Sequence, residues 1–155
     1  MVLADVSVID VDAGTVTSGQ YVTIVNGQIQ EVSENTTSLP GSVTVDGTGL
    51  YVMPGLWDMH AHLRSPIAPT IIMPQFIAHG VTGVREMASE CDRDNSRCLA
   101  QMLEWQADIE RGDLLGPRLL ALSSSPVNPP WDYEMAEEEA REYVREMQRR
   151  GVDLI

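Results

Sequence analysis

Two histidines separated by one residue, His60 and His62, are the side chains in this sequence best suited to chemistry. They end an apolar run that we predict to be a short β-strand, and a strand directs residues i and i+2 to the same face. Their Cα atoms would lie about 6.5 Å apart by the rise of a strand. Two imidazoles at that spacing can bind one metal ion, each nitrogen about 2.1 Å from it. The pair is our candidate metal site.

Asp58 lies two residues before the pair and shares its predicted face, one step deeper along the strand. A carboxylate in that place can accept a hydrogen bond from an imidazole and hold its tautomer. The alternative is an ordinary polar residue below the site. Because an isolated His-x-His motif is a weak signal, the elements around it must decide how it is interpreted.

Residues 1–52 show the pattern of short strands joined by tight turns. Residues 21–25, which are rich in β-branched side chains, precede Asn26-Gly27, a strong hairpin signal, and residues 28–32 alternate as the partner strand. We predict a small antiparallel β unit over 1–52, which is marginal alone because so short a segment buries little surface.

Residues 53–155 alternate between strand and helix patterns. Apolar strand-like runs begin near residues 56, 80, 117 and 151, and helical patterns lie between them. One of these helices is marked by an apolar stripe that includes Leu99 and Met102. Such alternation predicts a parallel α/β sheet built from right-handed crossovers. A complete (β/α)₈ TIM barrel needs about 250 residues, so the sequence predicts about the first half of one. Barrel active sites lie at the carboxyl ends of the strands, where the histidine pair falls.

The composition excludes several classes of partner. The 155 residues carry ten Arg, no Lys and a net charge of −13, which argues against nucleic acid and anionic membranes. With neither a long apolar segment nor a secretory signal pattern, a cytoplasmic location is expected. Cys91 and Cys98 are expected to be free thiols, with a local disulfide as the alternative.

The run from Val52 to His62 (VMPGLWDMHAH) resembles the signature of the amidohydrolase superfamily, Pro-Gly-x-x-Asp-x-His-x-His. Residues 80–87 (GVTGVREM) resemble the second barrel strand of its imidazolonepropionase-like and prolidase-like branch, and residues 1–52 resemble its N-terminal β-sandwich segment. The resemblance implies a hydrolase of carbon–nitrogen bonds other than peptide bonds, acting on a small amide, cyclic amide or dipeptide-like substrate. It also implies one or two divalent metal ions, commonly zinc, that activate water and are bound in part by His60 and His62.

His60-Ala61-His62-Leu63-Arg64 is also similar to the dihydroorotase pattern, in which the arginine binds a substrate carboxylate. The alternative for Arg64 is a solvated loop residue. Arg85-Glu86 on the second strand is either a barrel-interior pair or a pair that orients the site, and we favour structural support. For His79 we expect a cap at the end of a helix. Trp57 is expected to be a packing residue and not a platform for substrate.

The superfamily completes its metal site with later residues, often a carboxylated lysine on strand four. This sequence has no lysine, and two imidazoles alone leave a catalytic zinc under-coordinated. We therefore predict a truncated, inactive fragment that binds metal weakly and self-associates through exposed barrel edges. The alternative to an enzyme fragment is a non-catalytic domain that uses the same fold for packing or partner binding.

Overall fold

The protein forms two compact units, Met1–Pro54 and Gly55–Ile155. A computed structural model describes residues 1–35, 40–87, 97–124 and 135–155. Both units contain β-sheet, and the helices of the described chain belong to the second unit. The α/β class predicted from the sequence is confirmed, while the partial TIM barrel and the β-sandwich segment stay predictions.

The first unit is a five-stranded sheet with β1 at its centre. Its strands are β1 (Val2–Asp10), β2 (Thr15–Val25), β3 (Gln28–Ser33), β4 (Thr44–Asp46) and β5 (Tyr51–Val52). The predicted hairpin turn between β2 and β3 is confirmed. Asn26 and Gly27 both take positive φ, 51° and 75°, as a type I′ turn requires.

The prediction that this unit is antiparallel is wrong for two strands. β1 pairs antiparallel with β2, but β4 and β5 both run parallel to it. The physical reason is that parallel and antiparallel ladders share the same two-residue alternation. The pattern of a strand therefore reveals which face it buries and not the direction in which it pairs.

The second unit contains a parallel three-stranded sheet in the order β6-β7-β8. Its strands are β6 (Leu56–Ala61), β7 (Val81–Glu86) and β8 (Arg118–Leu122), and its α-helices are α1 (Met73–Ala78), α2 (Arg97–Arg111) and α3 (Glu137–Arg149). Leu154, which follows α3, forms an isolated parallel bridge with Ser123, the residue after β8. This bridge extends the alternating pattern to where the sequence predicts a fourth strand.

The core of the second unit lies between the sheet and the helices that precede β7 and β8. Its buried members are Ala61, Leu63, Ala68, Met73, Val84, Leu99, Met102, Leu119 and Leu122. Leu99 and Met102 lie three residues apart on α2, as the predicted helical stripe requires. Leu63 is fully buried and follows His62 directly, so the core anchors the chain immediately after the candidate site.

The helix between β6 and β7 begins and ends as its sequence suggests. A π-helical turn, Ala68–Ile72, leads into α1, and Pro74 lies in the first turn, where a missing N–H costs nothing. His79 ends the helix, and its Nδ1–H donates to the Gln75 carbonyl oxygen at 2.8 Å. The prediction that His79 caps a helix is confirmed.

Two other expectations meet the structure differently. Cys98 is disulfide-bonded, so the expectation of free thiols is wrong for this residue, whereas Cys91 lies outside the described residues. Trp57, expected to pack, is 62% exposed. Within the described ranges, no helix combines the length and apolar character needed to cross a bilayer.

Gly55 allows β6 to approach β7 closely. A Cβ at this position would lie 2.7 Å from the Thr82 Cβ and closer still to the Thr82 hydroxyl. Gly55→Ala should therefore lower the free energy of unfolding of the second unit by about 1–3 kcal/mol through overpacking. Urea titration followed by tryptophan fluorescence measures this unit alone, because all three tryptophans lie after residue 54.

The control is Thr82→Ala, alone and combined with Gly55→Ala. Removing the Thr82 hydroxyl and methyl groups should recover part of the loss, since only the Cβ then remains near position 55. Strictly additive effects of the two substitutions would contradict the proposed contact.

Candidate metal centre

The histidine pair lies at the carboxyl end of β6. His60 belongs to the strand, and His62 is the first residue after it. Their ring centroids are 5.1 Å apart, with the ring planes at 78°. Both side chains are exposed, so a ligand can reach them from solvent. The sequence prediction that the two rings share one face agrees with this geometry.

The separation of the rings fits two ligands of one tetrahedral ion. In such a pair each bound nitrogen lies about 2.1 Å from the metal and about 1 Å from its own ring centre, which places the two centres about 5 Å apart. The chemistry of the donors also fits, because neutral imidazole is a common zinc ligand. His60 and His62 can therefore supply two ligands to a divalent ion.

The tautomer of His62 follows from its hydrogen bond. Its Nδ1 lies 2.6 Å from the carbonyl oxygen of Met87, and a carbonyl oxygen can only accept. Nδ1 therefore carries the proton, and in the neutral ring Nε2 keeps the lone pair that binds a metal. Sequence reasoning missed this partner, because a backbone acceptor leaves no signal in residue type.

Asp58 acts on the backbone of the pair. Its Oδ1 accepts a hydrogen bond from the backbone N–H of His60 at 2.9 Å. The sequence left open whether this carboxylate holds an imidazole or is an ordinary polar residue. In the structure it holds the main chain at His60, so its influence on the ring is indirect.

Arg85 and Glu86, at the end of β7, both bind backbone groups of the β6 segment. Arg85 Nε donates to the Met59 carbonyl oxygen at 2.7 Å, and Glu86 Oε2 accepts from the Leu63 N–H at 2.7 Å. These bonds agree with the structural support favoured from the sequence. They also bring a buried carboxyl group to the residue that follows His62.

Glu86 is fully buried, and its environment changes its acidity. Burial raises the pKa of the carboxyl from 4.5 to about 7, although the hydrogen bond from Leu63 and the charge of Arg64 both act to lower it. Its Oε1 has no hydrogen-bond partner among the described residues. Arg64 itself is exposed, so it remains accessible to an anionic ligand.

Within the part of the chain that the structure describes, no three side chains of His, Cys, Asp or Glu lie close enough together to hold one metal ion.

A cavity of about 690 Å³ is lined in part by Thr82, Gly116 and Arg118. These residues lie at or before the amino ends of β7 and β8, whereas the histidines lie at a carboxyl end. The cavity is therefore not part of the candidate metal centre.

The chain is similar to known hydrolases over different parts of its length. A dihydroorotase of Trichlorobacter lovleyi is 44% identical over 45 residues, which are 29% of this chain and 11% of that protein. A putative prolidase from Bifidobacterium longum has a TM-score of 0.80 at 27% identity, covering 99% of this chain and 39% of that one. A prolidase solved with N-methylphosphonate-L-proline has a TM-score of 0.69 at 24% identity, covering 97% and 44%.

No family model matches the chain. Its fold and its similarity to these proteins nevertheless confirm the resemblance to the amidohydrolase superfamily that the sequence predicted. The chain spans less than half the length of the solved structures that it matches.

Proposed function

We propose that this chain contributes the first metal ligands of a hydrolase that cleaves an amide carbon–nitrogen bond of a small molecule. The observation that carries the proposal is the His62 ring, whose Nε2 lone pair is left available next to His60 at the carboxyl end of β6. In a parallel α/β enzyme of barrel type this is the end at which substrates bind. The substrate is a small molecule that reaches the site from solvent.

Each residue of the site has a separate task. A divalent ion, when bound, supplies Lewis-acid polarisation of a carbonyl group and activation of water. His60 and His62 hold the ion through their imidazoles. Asp58 fixes the His60 backbone, and the Met87 carbonyl oxygen keeps the proton of His62 on Nδ1. We expect the exposed Arg64 to bind an anionic group of a substrate.

Two substrate classes follow from the similarities. The dihydroorotase relative and the sequence His60 to Arg64 favour a cyclic amide that carries a carboxylate. The prolidase-like structures favour a dipeptide-like amide. We place the dipeptide-like class first, because the prolidase similarity extends over 99% of this chain.

A non-catalytic role is the second candidate, and the number of ligands favours it. Catalytic zinc sites commonly use three protein ligands, whereas the described residues supply two. We therefore expect this 155-residue chain to bind metal weakly and to hydrolyse no amide by itself. Stoichiometric metal after dialysis, together with turnover of an amide, would contradict that expectation.

Titration with Co²⁺ tests the proposed site. The wild-type chain should bind the ion, and the variant His60→Ala/His62→Ala should bind it at least tenfold more weakly, because both imidazole ligands are lost. His79→Ala is the matched control, since it removes an exposed histidine whose Nδ1 is bound to the end of α1. Equal Co²⁺ affinity in the wild type and the double variant would rule out the pair as the site.

A further inference from the structure

Ala61, His62 and Leu63 are bound one after another to the end of β7. The Met87 N–H donates to the Ala61 carbonyl oxygen at 2.9 Å, the His62 Nδ1–H donates to Met87, and the Leu63 N–H donates to Glu86 Oε2. The last residue of β6 and the two residues after it are thus held by Glu86, the last residue of β7, and by Met87, which follows it. Of these bonds, only the one from Leu63 depends on the identity of a β7 side chain.

The register of the two strands explains why a side chain is needed there. β6 and β7 are paired up to Asp58, the register then shifts, and pairing resumes at Ala61 opposite Glu86. This shift in register includes His60. Because β6 ends at Ala61, the strand pairing does not continue to Leu63. The Glu86 carboxyl extends the connection by two residues beyond the end of the strand.

The burial of Glu86 indicates a specific purpose. Carboxyl groups are rarely fully buried, because desolvation is costly and is offset only by good partners. Val84, two residues earlier on β7, is equally buried and is apolar. Glu86 is instead attached to the residue directly after His62, where a shift of the backbone would move the imidazole.

We propose that Glu86 is a positioning residue of the metal centre, which holds the Leu63 backbone so that the His62 Nε2 faces the ion. This inference rests on the proposed function. Without Glu86 the segment from His62 to Leu63 is free to rotate away from Met87. The His62 ring then loses its fixed tautomer and its direction. Loss of an outer partner of a metal-binding histidine typically costs 10–100-fold in metal affinity.

Four variants of the whole chain test this role. Glu86→Leu removes the acceptor, and Glu86→Asp shortens it while keeping its charge. Glu86→Gln keeps an acceptor at the same reach. Asp153→Leu is the matched control, because Asp153 Oδ2 accepts from the Leu122 N–H at the end of β8 in the same way, without a histidine beside it.

Two readouts separate positioning from simple structural support. The first is Co²⁺ affinity together with the cobalt absorption spectrum. The second is the ¹⁵N NMR signal of the His62 imidazole in the metal-free chain, which reports the tautomer. We expect Glu86→Leu and Glu86→Asp to lose at least tenfold in affinity and to show mixed tautomers. Glu86→Gln and Asp153→Leu should stay within about threefold of wild type and keep the Nδ1–H form.

A wild-type tautomer and affinity in Glu86→Asp, or in a folded Glu86→Leu, would overturn the proposal. If Glu86→Leu fails to fold, Glu86→Asp and Glu86→Gln decide the question. If the wild-type chain binds no Co²⁺, the proposed function fails, and the imidazole signals then decide the role of Glu86 alone. An unchanged tautomer in Glu86→Asp would reject it.

Discussion

Leu63→Ala should lower the free energy of unfolding of the second unit by about 2–5 kcal/mol. Leu63 has no exposed surface and belongs to the core cluster that joins β6, β7 and α2. Truncation removes its buried methyl groups and leaves a cavity that a close-packed core fills only in part. Urea unfolding monitored by tryptophan fluorescence measures this loss, since the three tryptophans all belong to the second unit.

Two further variants make that measurement specific. Leu63→Met keeps the volume and should cost less than about 1.5 kcal/mol. Leu115→Ala removes the same atoms from a side chain that is 63% exposed, so its effect should stay within about 0.5 kcal/mol. Equal losses of unfolding free energy for Leu63→Ala and Leu115→Ala would contradict the assignment of Leu63 to the buried core and of Leu115 to the surface.

The alternation of residue types identified the elements well, because it reflects burial directly. The histidine segment was recognised as a strand end, and the stripe of Leu99 and Met102 as a helix, since both patterns follow one buried face. Alternation carries no information about direction, so the parallel pairing of β4 and β5 was missed. The exposure of Trp57 was missed for a similar reason, because residue type does not specify what a neighbouring strand covers.

The partners of the candidate site depend on contacts between residues far apart in sequence. His62 and Met87 are separated by 25 residues, and Leu63 and Glu86 by 23. The sequence offered Arg85-Glu86 as supporting residues, but it did not indicate which backbone groups they bind. Asp58 was correctly placed near the pair, yet its partner is a backbone N–H that no side-chain pattern reveals.

The buried Glu86 carboxyl should make the stability of the second unit depend on pH. Its pKa is raised from 4.5 to about 7 in the folded chain, chiefly by desolvation. The folded form therefore holds this proton more tightly than the unfolded form, and protonation stabilises the fold. The contribution is present in full below about pH 4.5 and is lost as the pH rises to about 7. Allowing for screening by solvent, the loss is on the order of 1–3 kcal/mol.

The change with pH is best measured as a difference between wild type and Glu86→Gln in urea titrations from pH 4.5 to 8. Since glutamine does not titrate, the stability of the wild type relative to this variant should fall through that interval and then level off. Glu86→Leu should give a difference curve of the same shape with a different offset, because leucine also leaves the Leu63 N–H without its acceptor. Parallel pH profiles for wild type and both variants would mean that Glu86 titrates alike in the folded and unfolded chain. The bond to Leu63 would then be made by an ionised carboxylate over the upper part of this interval.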